Sequence, residues 1–336
     1  MNQKYRNKIT YLSFLLAILI VVRHSNGIGT YTLHYQSLLF FEQFISDATD
    51  IVVSIFFALS GFLFYQNFEY SKLKTKFISR FYSLIIPFII WNLFGFFFFY
   101  TINTIPFVAA HTNNTIPTYN SFCKFCYDVF ITTSYNGPTW FLLNLIIYTG
   151  ITPPLAKTLM SNKIIGICVL FVFYITGLYL NSRLLLCYVT YLFGCYMALN
   201  YKDVCQSQYN NKLVILSTAL LISSLFAQTL LKLPQSYTIV PLRIIQIVLV
   251  WISSDVLAQE KMPRWWIQLS FFIYLSHHMI LESIEKIFLI VLGDTTIGAI
   301  IDLIFAPTLT ISIIITFAFF LRKSCSFWKV INGGRG

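Results

Sequence analysis

The chain has 336 residues, of which 57% are hydrophobic and only 10% charged, with a net charge of +11. A soluble globular surface carries at least twice that share of charge, so water is not the main solvent here. The basic residues stand in short clusters between apolar runs, with no basic groove of stacked aromatics, which excludes nucleic acid as a partner.

Taken in chain order, apolar runs occur near residues 9–29, 47–66, 80–102, 138–157, 163–181, 183–200, 212–231, 238–258, 266–291 and 297–321. Each has the length, roughly 17 to 25 residues, that crosses about 30 Å of hydrocarbon as a helix. The expected fold is therefore all-α, a polytopic membrane bundle of about ten transmembrane helices forming a single domain over 1–336, with no soluble domain appended. Orientation follows from the basic residues, which are retained beside spans on the cytosolic side. With the N-terminus inside, all but six of the 23 Lys and Arg fall on cytosolic segments; the six are Arg23, Lys124, Arg183, Lys232, Arg243 and Lys286. Both termini are thus expected in the cytosol. The basic start and apolar first run resemble a secretory signal, but no convincing A-x-A cleavage site follows.

One long polar excursion, 103–137, is placed outside; Pro106, Pro117 and Asn113-Asn114-Thr115 give it the chemistry of turns or a partial lid. The seven cysteines are scattered and form neither a disulfide framework nor a metal-ligand set. Cys123 and Cys126 make a lone C-x-x-C in the outer excursion, a spacing that fits unlinked thiols better than a disulfide. No metal site is expected.

Ionisable groups deep in a span are costly, by about 2.5 to 3.5 kcal/mol on insertion scales, and so become functional candidates. His24 lies about 15 residues into the first span, roughly 22 Å from its cytosolic end, where an imidazole can act as general acid or base; anchoring the outer interface beside Arg23 is the alternative. Tyr274, His277, His278, Glu282 and Glu285 share a stripe on the ninth span at helical spacing, with Glu282 set to orient His278 at i+4 or the whole group serving as interhelical hydrogen-bonding glue. Lys72, Lys74, Lys76 and Arg80 form a cytosolic basic patch suited to phosphates, Arg80 lying closest to the hydrocarbon. Asp128, Arg183, Arg243, Asp255 and Asp302 occur singly and receive no role.

In order along the chain, FLLAILIVVRHS (14–25), IFFALSGFLF (55–64), KFISRFYSLIIPFIIWN (76–92), PTWFLLNLIIYTGITPPL (138–155), CYVTYLFGCYMA (187–198) and LSFFIYLSHHMIL (269–281) resemble the integral-membrane acyltransferase 3 family, whose bacterial members O-acylate surface glycans. The resemblance implies a multi-pass protein of the bacterial inner membrane that moves an acyl group, acetyl by preference, from cytosolic acyl-CoA to a hydroxyl of a surface polysaccharide or lipid-linked glycan. It implies His24, His277 and Tyr274 as catalytic residues, and Arg80, Lys76 and Trp140 as contacts for acetyl-CoA, a donor substrate rather than a bound cofactor. Other glycan-assembly proteins would be its partners. The sequence departs from the family at two positions: Ser13 stands where a basic residue is usual eleven positions before the histidine, and Ser83 stands for the second arginine of an R-x-x-R pair. Lys8, Lys76 and Arg80 are the nearby cations expected to compensate. The competing readings are a translocator of glycan intermediates, its path lined by the 34 Phe, 21 Tyr and 6 Trp, and an inactive partner of a glycan-assembly complex.

Overall fold

The structure is a computed structural model that describes residues 3–25, 36–106, 118–232, 239–324 and 327–334. Helix dominates, and no strand occurs among the described residues. The Asn113-Asn114-Thr115 run, Pro117 and the end of the first predicted span (26–29) lie outside them.

The chain runs through α1 (Gln3–His24), α2 (Gln36–Tyr65), α3 (Leu73–Arg80), a π turn (Phe81–Ile85), α4 (Ile86–Asn103), α5 (Phe122–Cys126), a second π turn (Tyr127–Ile131), α6 (Trp140–Ile151) and α7 (Pro153–Ser161). It continues through α8 (Lys163–Tyr179), α9 (Arg183–Asn200), α10 (Lys202–Gln206), α11 (Asn211–Leu230), α12 (Val240–Ser253), α13 (Ser270–Leu292), α14 (Thr296–Ser324) and α15 (Trp328–Ile331). Every predicted apolar run meets a helix, yet seven helices are long and apolar enough to cross a membrane, or eight when a bent pair counts as one. Three of the ten expected spans fall short for separate reasons. The run at 138–157 breaks by 65° between α6 and α7, where Pro153 and Pro154 cannot supply N–H groups to the helical ladder. α8 has only 17 residues. α13 carries Glu282, Glu285 and Lys286 together, too much charge for an apolar span by composition.

The polar excursion expected at 103–137 also differs from a run of turns, since 122–131 is helical. Cys123 and Cys126 are free thiols. The first π turn follows directly on Arg80. Pro87 lacks the N–H that would bond the Ser83 carbonyl, and one residue earlier the ladder has already widened, with Ile86 N–H reaching Phe81 O.

The centre of the bundle is α2 against α9, flanked by α1, α11 and α12. The α2–α9 approach is set by two glycines: a Cβ on Gly194 would lie 1.9 Å from Ala58 O, and one on Gly61 2.3 Å from Tyr191 O. Backbones this close maximise van der Waals contact where lipid offers no hydrophobic drive.

Charges that the sequence showed singly are paired across the bundle. Lys8 Nζ lies 2.6 Å from Asp255 Oδ1 with both side chains buried, and it packs over the Trp251 ring at 4.0 Å. Asp255 Oδ2 also accepts from Tyr209 N–H at 2.6 Å. Asp50 on α2 holds Arg243 of α12 through Oδ2 at 2.5 Å and Arg23 of α1 through Oδ1 at 3.0 Å. Arg243 and Asp255 therefore tie helices together, which corrects the expectation that they have no role. Burial matters where these elements leave the spans: it pushes the Cys205 thiol up to about 11. Tyr209, buried beside Cys205 and Asp255, is pushed up to about 12.

Candidate active site

Two cavities lie along α1. One, about 430 Å³, is lined by the N-terminal half of α1 (Gln3, Arg6, Asn7, Thr10, Ser13), by Ser60 and Leu63 of α2, by Arg80, and by Gln268 and Ser270. The other, about 360 Å³, is lined by the C-terminal end of α1 (Ile20, Arg23, His24), by Gly137, Pro138 and Trp140, and by Arg183 and His278. Both volumes are in the range of small-molecule sites. Phe56, Phe141 and Tyr274 line both cavities. Their rings stand edge to face, Phe56–Phe141 at 6.1 Å and Phe141–Tyr274 at 5.6 Å between centroids. Three aromatic side chains thus form the partition between two chambers at opposite ends of one helix.

In the second chamber the His24 ring is open to the cavity. It lies 5.2 Å from the His277 ring and 5.8 Å from that of His278. His277 is fully buried; its Nδ1 contacts the carbonyls of Tyr274 at 2.8 Å and Ile273 at 3.2 Å. Carbonyls only accept, so Nδ1 carries the proton and Nε2 is a bare acceptor. That Nε2 is buried and has no hydrogen-bond partner among the described residues. The arrangement can therefore receive an N–H from a neighbouring imidazole and leave the other nitrogen of that ring basic.

The turn facing His24 is rigidly held. The Tyr274 hydroxyl donates to Pro138 O. Asn136 Nδ2 donates to Leu275 O at 3.2 Å, and Thr139 Oγ1 donates to Asn92 Oδ1 at 2.9 Å. Nothing in the sequence reading singled out Asn92, Asn136 or Thr139; the N-G-P-T turn was the available signal. Tyr274 is accordingly a structural tie whose hydroxyl is committed. Glu282 does not orient His278 either: its Oε1 accepts from Lys286 Nζ at 3.1 Å, the other i+4 partner on the helix.

The expected donor contacts divide. Arg80 lines the first chamber and packs on the Phe64 ring at 5.4 Å. Lys76 does not line it; its Nζ caps the end of α2 by donating to Phe64 O at 2.5 Å. Trp140 lies in the second chamber, under the Arg183 guanidinium at 4.1 Å. Lys8 is committed to Asp255. The cation that joins Arg80 in the first chamber is instead Arg6, exposed on the first turn of α1 and present in the sequence only as one of its basic residues. Ser13 also lines this chamber, whereas the Ser83 hydroxyl is buried with no hydrogen-bond partner among the described residues.

A family model described as an acyltransferase domain, that of acyltransferase 3, matches residues 6–321. The chain belongs to the acyltransferase 3 family. Membership makes it an acyltransferase with multiple membrane-spanning helices, and the match extends from the Arg6 end of the first chamber through both α13 histidines. Neither a curated protein nor a solved structure matches the chain.

Proposed function

We propose that this acyltransferase takes an acyl group, acetyl by preference, from acyl-CoA on the cytosolic side of a bacterial inner membrane and transfers it to a hydroxyl of a surface polysaccharide or lipid-linked glycan on the outer side. The observation that carries the reading is the pair of chambers meeting at Phe56, Phe141 and Tyr274, with arginines in one and the His24 imidazole in the other. In this reading the bundle has ten crossings with both termini cytosolic, so that the Arg6–Arg80 chamber faces the cytosol.

Arg6 and Arg80 would hold phosphates of the donor. From Ser13 to His24 is eleven residues, about 16 Å along the helix, comparable to an extended pantetheine arm. The thioester then reaches the aromatic partition while the nucleotide remains in the first chamber. His24, its N–H received by His277 Nε2, takes the proton from the acceptor hydroxyl. The alkoxide oxygen attacks the thioester carbonyl, the carbon–sulfur bond breaks, and His24 returns the proton to the leaving thiolate. A small acyl group passes such a partition more readily than a whole sugar, which favours acyl transfer over translocation of a glycan.

The test is labelled acetyl transfer from acetyl-CoA to endogenous glycan in membranes carrying wild type or His24→Ala. Label should be incorporated by the wild type and lost in the variant at equal membrane abundance; transfer at the wild-type rate by His24→Ala would overturn the assignment.

A further inference from the structure

Outside the two chambers, the hairpin of α13 and α14 buries two carboxyls, Glu285 at 8% exposure and Asp302 at 0%. The two helices pack along each other on either side of the turn 293–295. That turn is tight, since a Cβ on Gly298 would lie 2.9 Å from Gly293 O. Glu285 precedes the end of α13, and Asp302 follows the start of α14, by nearly the same length of helix, about 10 Å. They therefore stand at one level of an antiparallel pair, and the charge of Asp302 acts on Glu285.

The surroundings of the pair are rich in acceptors. Glu285 Oε1 and both oxygens of Asp302 are buried with no hydrogen-bond partner among the described residues. Pro307 has no N–H for the Leu303 carbonyl, which puts a further acceptor one residue from Asp302. Lys286, next to Glu285 in the chain, gives its ammonium to Glu282 Oε1 at 3.1 Å. The other titratable groups towards this end of the hairpin are Asp294 in the turn, His278 on α13, Arg23 and His24 on α1, and Tyr100 on α4; α1 and α4 both pack on α13. Arg23 is engaged by Asp50, and His24 and His278 line the second chamber.

Two carboxylate ions in one dry site repel each other, and each is costly there without a donor or a cation. A carboxyl that keeps its proton avoids that cost and turns one oxygen into a donor among the acceptors. A hard metal ion asks for more: calcium takes about six to eight oxygens, and no group of three His, Cys, Asp or Glu that could hold a metal occurs among the described residues.

We propose that Glu285 and Asp302 form a proton-binding site that holds at least one proton between them at neutral pH. The site lies on the helix that carries His277 and His278, about two turns further along it. With its proton bound, the pair lets α13 and α14 close on each other; charging both carboxyls drives the two helices apart and shifts the histidines that α13 carries. The inference does not depend on the acyl-transfer reading.

Infrared spectroscopy of the full chain in nanodiscs tests it, because a protonated carboxyl has a carbonyl stretch that a carboxylate lacks and that moves to lower frequency in heavy water. At neutral pH the wild type should show this band, and Glu285→Gln/Asp302→Asn should lose it while the amide bands report unchanged helix. Glu285→Gln and Asp302→Asn taken singly keep the size of each side chain and serve where the double variant fails to fold. Each removes one partner, so each should change the size or the frequency of the band. The absence of the band from the wild type at neutral pH would overturn the proposal without any variant. A band of the same size and frequency in wild type and variants would overturn it as well.

Discussion

Neutralising Asp50 tests whether the buried ion cluster holds the chamber together. Asp50 is the bridging anion: its side chain is 8% exposed, that of Arg243 2%, and the carboxylate contacts Arg243 at 2.5 Å and Arg23 at 3.0 Å. Asp50→Asn leaves two guanidiniums without this counter-charge in a dry interior. Breaking a buried pair by removing one partner costs about 3–5 kcal/mol. Arg243 retains the oxygens of Gln228 at 3.1 Å and Gln246 at 2.9 Å, which puts the expected cost at the lower end, about 3 kcal/mol. That is roughly two orders of magnitude in the folded fraction. The assay is reversible unfolding by SDS in mixed micelles, followed by tryptophan fluorescence. The double variant Asp50→Asn/Arg243→Gln removes one stranded charge and should recover more than half of the loss. Unfolding of Asp50→Asn within about 0.5 kcal/mol of wild type, the scale of an exposed pair, would mean that the cluster does not hold the bundle together.

Other consequences follow from packing and exposure. Gly194→Ala places a carbon 1.9 Å from Ala58 O, so α2 and α9 must separate; the variant should lose about 1–3 kcal/mol in the same assay, as overpacked cores do. Cys123 is exposed, and in the proposed orientation a membrane-impermeant maleimide should label it on intact cells. The Cys205 thiol, held protonated up to about 11 from an ordinary 9.0, should resist labelling near neutrality even in opened membranes. Because the unfolded thiol ionises first, its contribution to stability is complete below about 9 and lost as pH rises toward 11. Cys205→Ala should therefore flatten the alkaline loss of stability, read as the melting temperature against pH.

Local patterns were legible in the sequence and long-range pairings were not. Apolar runs of membrane length located every long helix, because lipid forces backbone hydrogen bonds to close within each segment. Periodicity likewise put Tyr274, His277 and His278 on one side of α13. The break after Ile151 was signalled by Pro153-Pro154, although the apolar run reads straight through it. Asp50 and Arg243 lie 193 positions apart, and no spacing rule connects them. His24 meets His277 and His278 through packing of α1 on α13. The donor-side cations illustrate the same limit: charge alone made Lys8 and Lys76 as eligible as Arg6 and Arg80. Geometry committed the first two to Asp255 and to the end of α2.

The central claim is that an acyl group crosses between two chambers. Proteoliposomes containing the full chain in one orientation, with labelled acetyl-CoA supplied only on the Arg6–Arg80 face and glycan acceptor only on the His24 face, test it most directly. Labelled acceptor is expected, with CoA released on the donor face. Label appearing only when donor and acceptor share a face would contradict it.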